Sequence, residues 1–269
     1  MSEMAQQSQV DVIRLSGGSV ARVRRVAPER PWAWLAAGWK DFLAAPGFGL
    51  LYGLMFALGG AGLTLLFWWL DIFWSILPLA AGFMLVAPVL AVGLYETSRR
   101  LELGGSVRAA DAFGAWWRYV PRLAPMGLVL TLFLMAWARF AQIVFALFFS
   151  GNPPRPEPLY VVDLFLSPTS IPFLLIGCAI GGVLAAFVFA ISVISIPVMM
   201  DRDINVVSAI GLSLATVKRN FWVMALWAWL IVLFAGAGIA TLYLGLMVTL
   251  PILGHATWHA YRDLIAWED

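Results

Sequence analysis

The fold of this chain is decided by residues 48–95, which read FGLLYGLMFALGGAGLTLLFWWLDIFWSILPLAAGFMLVAPVLAVGLY. This stretch carries a single charge, Asp71. As one helix it would be about 72 Å long, at 1.5 Å per residue, whereas the hydrocarbon core of a bilayer is about 30 Å thick. The stretch therefore predicts two membrane-spanning helices, at about 48–70 and 72–95, with the turn at Asp71.

The composition of the whole chain agrees with insertion into a membrane. Of 269 residues, 62% are hydrophobic and 12% are charged, and the mean hydropathy is +0.88. Soluble domains carry about 25% charged residues, and a soluble fold of this size could not bury so many apolar side chains. The only cysteine, Cys178, lies inside an apolar run, so the chain has no disulfide framework.

Three further apolar blocks predict four more spans. The first two lie at about 124–149 and 171–199, and the prolines of GNPPRPEP (151–158) exclude a helix between them. The last block, 221–254, would be about 51 Å long as a single helix. A break at AGAG (235–238) would give spans at 221–236 and 238–254, and one long helix is the alternative.

The basic residues predict the orientation of these spans. Fifteen of the 17 lie in 1–47, 96–123, 201–220 and 255–269, whereas Arg155 lies in an outer loop and Arg139 inside the third span. Short cytoplasmic loops carry an excess of lysine and arginine. We therefore expect both termini in the cytoplasm.

The predicted fold class is an all-α polytopic membrane protein with about six transmembrane helices in three hairpins, each preceded by a cytoplasmic amphipathic helix. The segments after Pro88, Pro197 and Pro251 resemble one another, as such a repeat requires. The alternative is that aromatic, proline and arginine residues simply recur at cytoplasmic helix ends. The first surface helix would present one apolar face, and the other two would begin at Ser106 and at Asn205 or Asp203. The residues of that first face are Trp32, Leu35, Ala36, Trp39, Phe42 and Leu43.

The predicted domain organisation has three parts. Residues 1–31 are expected to be a disordered basic cytoplasmic arm, because they are polar and lack helical or strand periodicity. Residues 32–264 form the helical membrane domain, and 265–269 form a short C-terminal tail.

Three segments carry a family resemblance: GWKDFLAAPGFGLLYG (38–53), PVLAVGLYETSRRLE (88–102) and PILGHATWHAYRDL (251–264). Together they resemble a bacterial family of predicted integral membrane proteins known as domain of unknown function 2189, over about Pro31 to Leu264. The resemblance implies a location in the bacterial inner membrane and a multi-span fold. It implies no catalytic residue.

The only two histidines are a candidate metal or haem site. His255, His259 and Asp263 follow one another at intervals of four residues, so they share one helical face. The alternative is an ordinary helix end at the membrane interface. Some members of the family have been said to resemble a respiratory oxidase subunit. Two histidines on one helix cannot supply the haem–copper centre that such an oxidase requires.

Two further groups are candidate binding residues. Arg139 is the only charge well inside a span, so it contacts a substrate, an ion or a lipid phosphate, or else extends its side chain outward to the interface. Glu96, Arg99 and Arg100 can form ion pairs at a helix end, or can bind a headgroup or a partner.

The function predicted from these features is non-enzymatic. We find no Ser/His/Asp set, phosphate-binding loop, dinucleotide fingerprint or cysteine metal motif, and we expect no cofactor. An accessory, scaffold or lipid-organising role is favoured, with a transporter as the alternative and a haem- or metal-binding redox protein as a third hypothesis. The expected partners are the phospholipid bilayer and a membrane protein or a second copy of this chain, rather than nucleic acid.

Overall fold

The computed structural model describes residues 11–14, 20–70, 72, 75–105, 109–149 and 170–268. The helices in these ranges are α1 (Arg30–Ala44), α2 (Pro46–Trp69), α3 (Ile76–Leu90), α4 (Val92–Glu102), α5 (Ala109–Phe149), α6 (Ser170–Ser192), α7 (Ser195–Asp201), α8 (Val206–Arg219), α9 (Phe221–Ala240) and α10 (Leu246–Leu264). The strands are β1 (Asp11–Arg14), β2 (Val20–Val23) and β3 (Ile265–Glu268).

The helices pack in two groups that share α4. Helix α10 packs against α1, α2, α4 and α9, whereas α5 packs against α3, α4, α6 and α7. The shared buried centre consists of residues 91–98, 191–200 and 251–258, the segments around or after the three prolines that the sequence relates to one another. Much of α2, α5 and α6 instead exposes large apolar side chains. Such a surface requires hydrocarbon as its solvent.

Within the described residues, five helical stretches are long and apolar enough to cross a membrane. They are Pro46–Trp69, Pro78–Glu102, Gly114–Phe149, Ser170–Asp201 and Phe221–Ala240. The sixth predicted span is not among them. Helix α10 falls short because its second half carries the polar sequence HATWHAYRDL.

The last apolar block is two helices, and the predicted position of the break is wrong. The AGAG sequence lies within α9, and the chain reverses at 241–245. Leu242 and Tyr243 adopt positive φ angles of 54° and 69° there. Gly238 allows close contact instead, because a Cβ atom at that position would lie 2.6 Å from Leu246 Cδ2 and 3.0 Å from its backbone nitrogen.

Other predicted helix boundaries also need correction. The second surface helix and the third span form one continuous helix, α5, which contains Pro121 and Pro125, and the proposed cap Ser106 lies outside the described residues. The second and fourth spans are each interrupted, at Ala91 and at residues 193–194. The proposed turn residue Asp71 also lies outside the described residues.

The chain is largely helical, as the predicted all-α class requires, but the described terminal residues form strands where a disordered arm and a short C-terminal tail were predicted. Strands β1, β2 and β3 form an antiparallel sheet in that order, with Val23 opposite Ile265. The alternating side chains of β2 explain this, because Ala21 and Val23 are buried and Arg22 is exposed. The backbone that follows β2 is held by Asn220, whose side-chain oxygen accepts a hydrogen bond from the backbone nitrogen of Val26. Residues 1–10, 15–19 and 269 lie outside the described residues.

The surface helices α1 and α8 are present. Leu35 and Phe42 of α1 are buried, but Trp32, Trp39 and Leu43 are exposed, so only part of the predicted face packs on the protein. Helix α8 begins as predicted, with Asn205 Oδ1 accepting from the nitrogen of Ser208 at 2.8 Å.

Candidate functional site

The carboxylate of Glu96 is the centre of a buried polar cluster at the end of α4. Its side chain is 0% exposed. Arg99 Nε donates to Oε2 at 2.8 Å, and Arg100 Nε donates to Oε1 at 2.8 Å. Both arginines lie on α4, at the i+3 and i+4 positions that share a helical face with Glu96. The predicted ion pairs are therefore present in the structure.

Helix α5 completes this cluster from the opposite side. Arg118 Nη1 donates to Oε1 of Glu96 at 3.3 Å, and the Tyr119 hydroxyl donates to Oε2 at 3.1 Å. Both carboxylate oxygens therefore accept hydrogen bonds from two helices. This matters because removing a carboxylate from water costs several kcal/mol unless its charge is paired and its lone pairs are bonded.

The cluster, hereafter the Glu96 cluster (Glu96, Arg99, Arg100, Arg118, Tyr119), contains three guanidinium groups and one carboxylate. The Arg118 side chain is 53% exposed, and the other two arginines are partly exposed. Asp201, whose charge also acts on Arg99, accepts a hydrogen bond from the Tyr261 hydroxyl at 2.6 Å. Within these five residues, three positive charges are therefore grouped around one negative charge.

A second polar network joins α1, α4 and α10. His259 Nε2 lies 2.8 Å from Asp41 Oδ2, and His255 Nδ1 lies 2.8 Å from the Ser98 hydroxyl. Burial raises the pKa of Asp41, but hydrogen bonds from His259 and Ser98 outweigh it and leave that pKa below its usual value. Asp41 is therefore ionised, and it holds α1 against α10.

This network brings together a serine, a histidine and an aspartate that no sequence motif indicated. Ser98 and His255 are both 0% exposed, so a substrate has no access to the hydroxyl. The hydroxyl also stands between the carboxylate and the imidazole, rather than at the end of a relay through histidine. These hydrogen bonds join α1 and α4 to α10.

The predicted metal set does not converge. His255 faces Ser98, His259 faces Asp41, and Asp263 accepts from Arg30 Nε at 2.7 Å and Trp34 Nε1 at 2.8 Å. Among the described residues no group of three or more His, Cys, Asp or Glu side chains is placed to hold a metal ion. His255, His259 and Asp263 do share one face of α10, but their side chains bind α1 and α4.

Arg139 lies apart from these clusters. It is exposed on the surface of α5, where its Nη1 donates to Gln142 Oε1 at 3.2 Å. This position agrees with the outward-extending alternative.

Several residues of these clusters were missed from the sequence. Arg118 and Tyr119 lie in WWRYVPR, and Asp41 lies in GWKDFL. The only sign in the sequence that these residues form polar contacts was the clustering of aromatic and basic residues at a helix end. The pairing of these residues with Glu96 or His259 depends on the rotation of each helix about its axis, which the sequence does not encode.

Comparison with known proteins finds a family that matches part of the chain. Residues 76–201, slightly less than half of the chain, match the family described as predicted integral membrane protein (DUF2189). This confirms the resemblance over α3 to α7, including the segment 88–102; the other two segments lie outside the match. The chain matches no curated protein and no solved structure.

Proposed function

We propose that this integral membrane protein is a non-enzymatic protein of the bacterial inner membrane that binds anionic phospholipid headgroups at its cytoplasmic face. The observation that carries the proposal is the Glu96 cluster, where one fully buried carboxylate fixes three arginines. Basic pockets between transmembrane helices on the cytoplasmic side suit anionic headgroups. Arginine forms paired hydrogen bonds with phosphate oxygens.

We also propose that the chain crosses the membrane six times, with both termini in the cytoplasm. The pairing of β2 with β3 supports this, because it requires residues 20–23 and 265–268 to lie on the same side of the membrane. A chain whose two ends share a side crosses an even number of times. The five apolar stretches and α10 together give six.

The buried surroundings of α10 explain how a helix with polar residues can serve as the sixth crossing. His255, Ala256 and Trp258 are 0% exposed, so they face other helices rather than lipid. The first residues of α10 lie beside α2, where Gly53 meets Met247 and Gly49 meets Pro251, and its second half lies against the surface helix α1.

Lipid retention tests the headgroup proposal. The purified protein is reconstituted in bilayers of equal parts phosphatidylglycerol and phosphatidylcholine, and the lipid that it retains after gentle extraction is measured by mass spectrometry. We expect phosphatidylglycerol to be enriched, and Arg118→Gln to reduce that enrichment roughly fivefold, since one basic residue near the surface contributes about 1 kcal/mol. Added salt should weaken the enrichment.

Arg139→Gln is the matched control, because it removes the same charge from the exposed surface of α5 outside the cluster. It should leave the enrichment unchanged. Equal retention of the two lipids by the unchanged protein, or equal losses in the two variants, would refute the proposal.

The transport alternative is supported less well, because Arg139 is exposed rather than directed into the helix bundle. Its test is Arg139→Leu, which should abolish flux without affecting insertion if transport depends on that residue. The third hypothesis, metal or haem binding, predicts a stoichiometric metal or a Soret band in the purified protein. A membrane protein or a second copy of the chain stays an expected partner.

A further inference from the structure

The two groups of helices leave a seam between α2 and α3. Helix α2 packs mainly on α10, and α3 packs mainly on α5, so these two sequence neighbours touch only locally. One such contact joins Phe56 and Phe83, whose ring centroids are 5.6 Å apart. Nearer the Glu96 end of the helices the seam widens into a groove of about 480 Å³ between α2, α3 and α5, which is the size of a small-molecule binding pocket.

The polar atoms in the wall of this groove are bonded to one another. The interruption of the helix at Ala91 deprives the Leu90 carbonyl of its usual partner, because the nitrogen of Leu94 bonds to Ala91 instead. The Tyr52 hydroxyl donates to that carbonyl, and Trp116 Nε1 donates to the Tyr52 oxygen at 3.2 Å. The rest of the lining, which includes Met55, Phe56 and Val120, is apolar. The groove therefore suits an apolar ligand.

The position of the opening determines which apolar ligand can reach it. The rim includes Trp117, which is 84% exposed, and Met55, which is also exposed. Tyr52 lies six residues from the start of α2, or about 9 Å along the helix, and Trp117 lies near the start of the apolar stretch of α5. The groove thus opens sideways into the half of the bilayer nearest the Glu96 cluster, where the surrounding molecules are phospholipids.

We propose that this groove binds one acyl chain of a phospholipid from that leaflet. A chain that moves from bulk lipid into the groove gains no hydrophobic transfer energy, because both surroundings are apolar. It gains dispersion contacts with aromatic walls that are held by the Tyr52 hydrogen bonds. The acyl-chain proposal does not depend on the headgroup proposal, because no residue that lines the groove belongs to the Glu96 cluster.

Photocrosslinking in proteoliposomes tests this site. The probe is phosphatidylcholine with a diazirine in the middle of one acyl chain, so that a preference for anionic headgroups has no influence. Adducts are located by mass spectrometry of peptides. We expect them to be roughly fivefold more abundant at Met55 and Trp117 than at Leu128 and Leu132, which are equally apolar, exposed residues of α5. That ratio corresponds to about 1 kcal/mol.

Two variants that fill the groove, Val120→Trp and Met55→Trp, should lower the adducts on its remaining rim to the level of Leu128. The control Leu128→Trp adds the same side chain elsewhere on α5 and should change nothing at the groove. Thermal unfolding in detergent establishes that each variant is folded. Uniform labelling along α5, or undiminished adducts in both groove variants, would overturn the acyl-chain site. Arg118→Gln should leave the adducts unchanged, which separates this outcome from that of the headgroup experiment.

Discussion

At the scale of single residues, the burial of Glu96 is the feature with the largest energetic consequence. An isolated carboxylate with no exposure would be strongly destabilising, and here three guanidinium groups and a hydroxyl offset that cost. The same contacts hold the arginines in place before any ligand arrives. A site organised in advance loses less side-chain entropy when it binds an anion.

Replacing Glu96 by Gln should therefore destabilise the protein. The change leaves three arginines crowded around a neutral amide, and breaking a buried pair typically costs about 3–5 kcal/mol. Thermal unfolding in detergent, followed by circular dichroism, should show a clearly lower midpoint. The control is Glu102→Gln, which breaks a partly exposed pair with Arg262 and should cost about 1 kcal/mol or less. Similar midpoints for the two variants would contradict this account of Glu96.

At the scale of secondary structure elements, α1 is a surface helix fixed on α10. Its two ends are held on α10 by Arg30 with Asp263 and by Asp41 with His259. Between them Gly38 lies directly against the backbone of α10. A Cβ atom there would lie 2.6 Å from the Ile252 oxygen and 2.7 Å from the Ala256 nitrogen. The helices can approach this closely only because position 38 has no side chain.

Gly38→Ala should consequently weaken the docking of α1. The added methyl group meets backbone atoms, which cannot move aside as a flexible side chain can, and overpacking of this kind costs about 1–3 kcal/mol. The measurement is the unfolding midpoint together with the rate of trypsin cleavage at the exposed Lys40 of α1. Gly211→Ala on α8 is the matched control, since nothing lies within 4 Å of its added carbon. Helix propensity alone should make that control slightly more stable. A Gly38 variant as stable as the control would show that α1 is not fixed in this way.

At the scale of the whole molecule, the terminal sheet and the distribution of charge lead to the same topology. The sheet requires the two ends of the chain on one side, and 15 of the 17 basic residues lie in segments that a six-span topology assigns to the cytoplasm. These two observations are independent. One is a matter of backbone pairing and the other of loop composition.

Cysteine labelling should establish this topology. In a Cys178→Ala background, Gly105→Cys lies between α4 and α5, and Asn152→Cys lies between α5 and α6. A membrane-impermeant maleimide should label position 152 in intact spheroplasts and position 105 only after permeabilisation. The reverse pattern would invert the orientation and move the Glu96 cluster to the outer face.

Much of the fold could be predicted from the sequence because membrane insertion depends on the summed hydropathy of consecutive residues. The long apolar runs of the sequence located three of the five apolar helical stretches of the structure within a few residues. The stretch that contains α3 and α4 lies further toward the C-terminus than predicted, and the stretch in α5 begins ten residues earlier, at Gly114. The segments around the three prolines, whose resemblance to one another stays a prediction, are buried together in the structure. The terminal strands were missed because four residues of alternating burial give little periodicity, and because β2 and β3 pair across more than 200 residues of sequence.

The sequence by itself determined that this is a membrane protein, where its apolar helices lie and which residues at the end of α4 pair with Glu96. Only the tertiary structure decided that Arg118 and Tyr119 complete that cluster, that the histidines contact Ser98 and Asp41, and that β2 pairs with β3. The physical reason is that the rotation of each helix about its own axis is not fixed by its sequence pattern. Helices such as α2, α6 and α9 are apolar on all sides, so no hydrophobic face fixes how they turn toward one another. Their orientation follows from close packing and from a few polar contacts between distant segments.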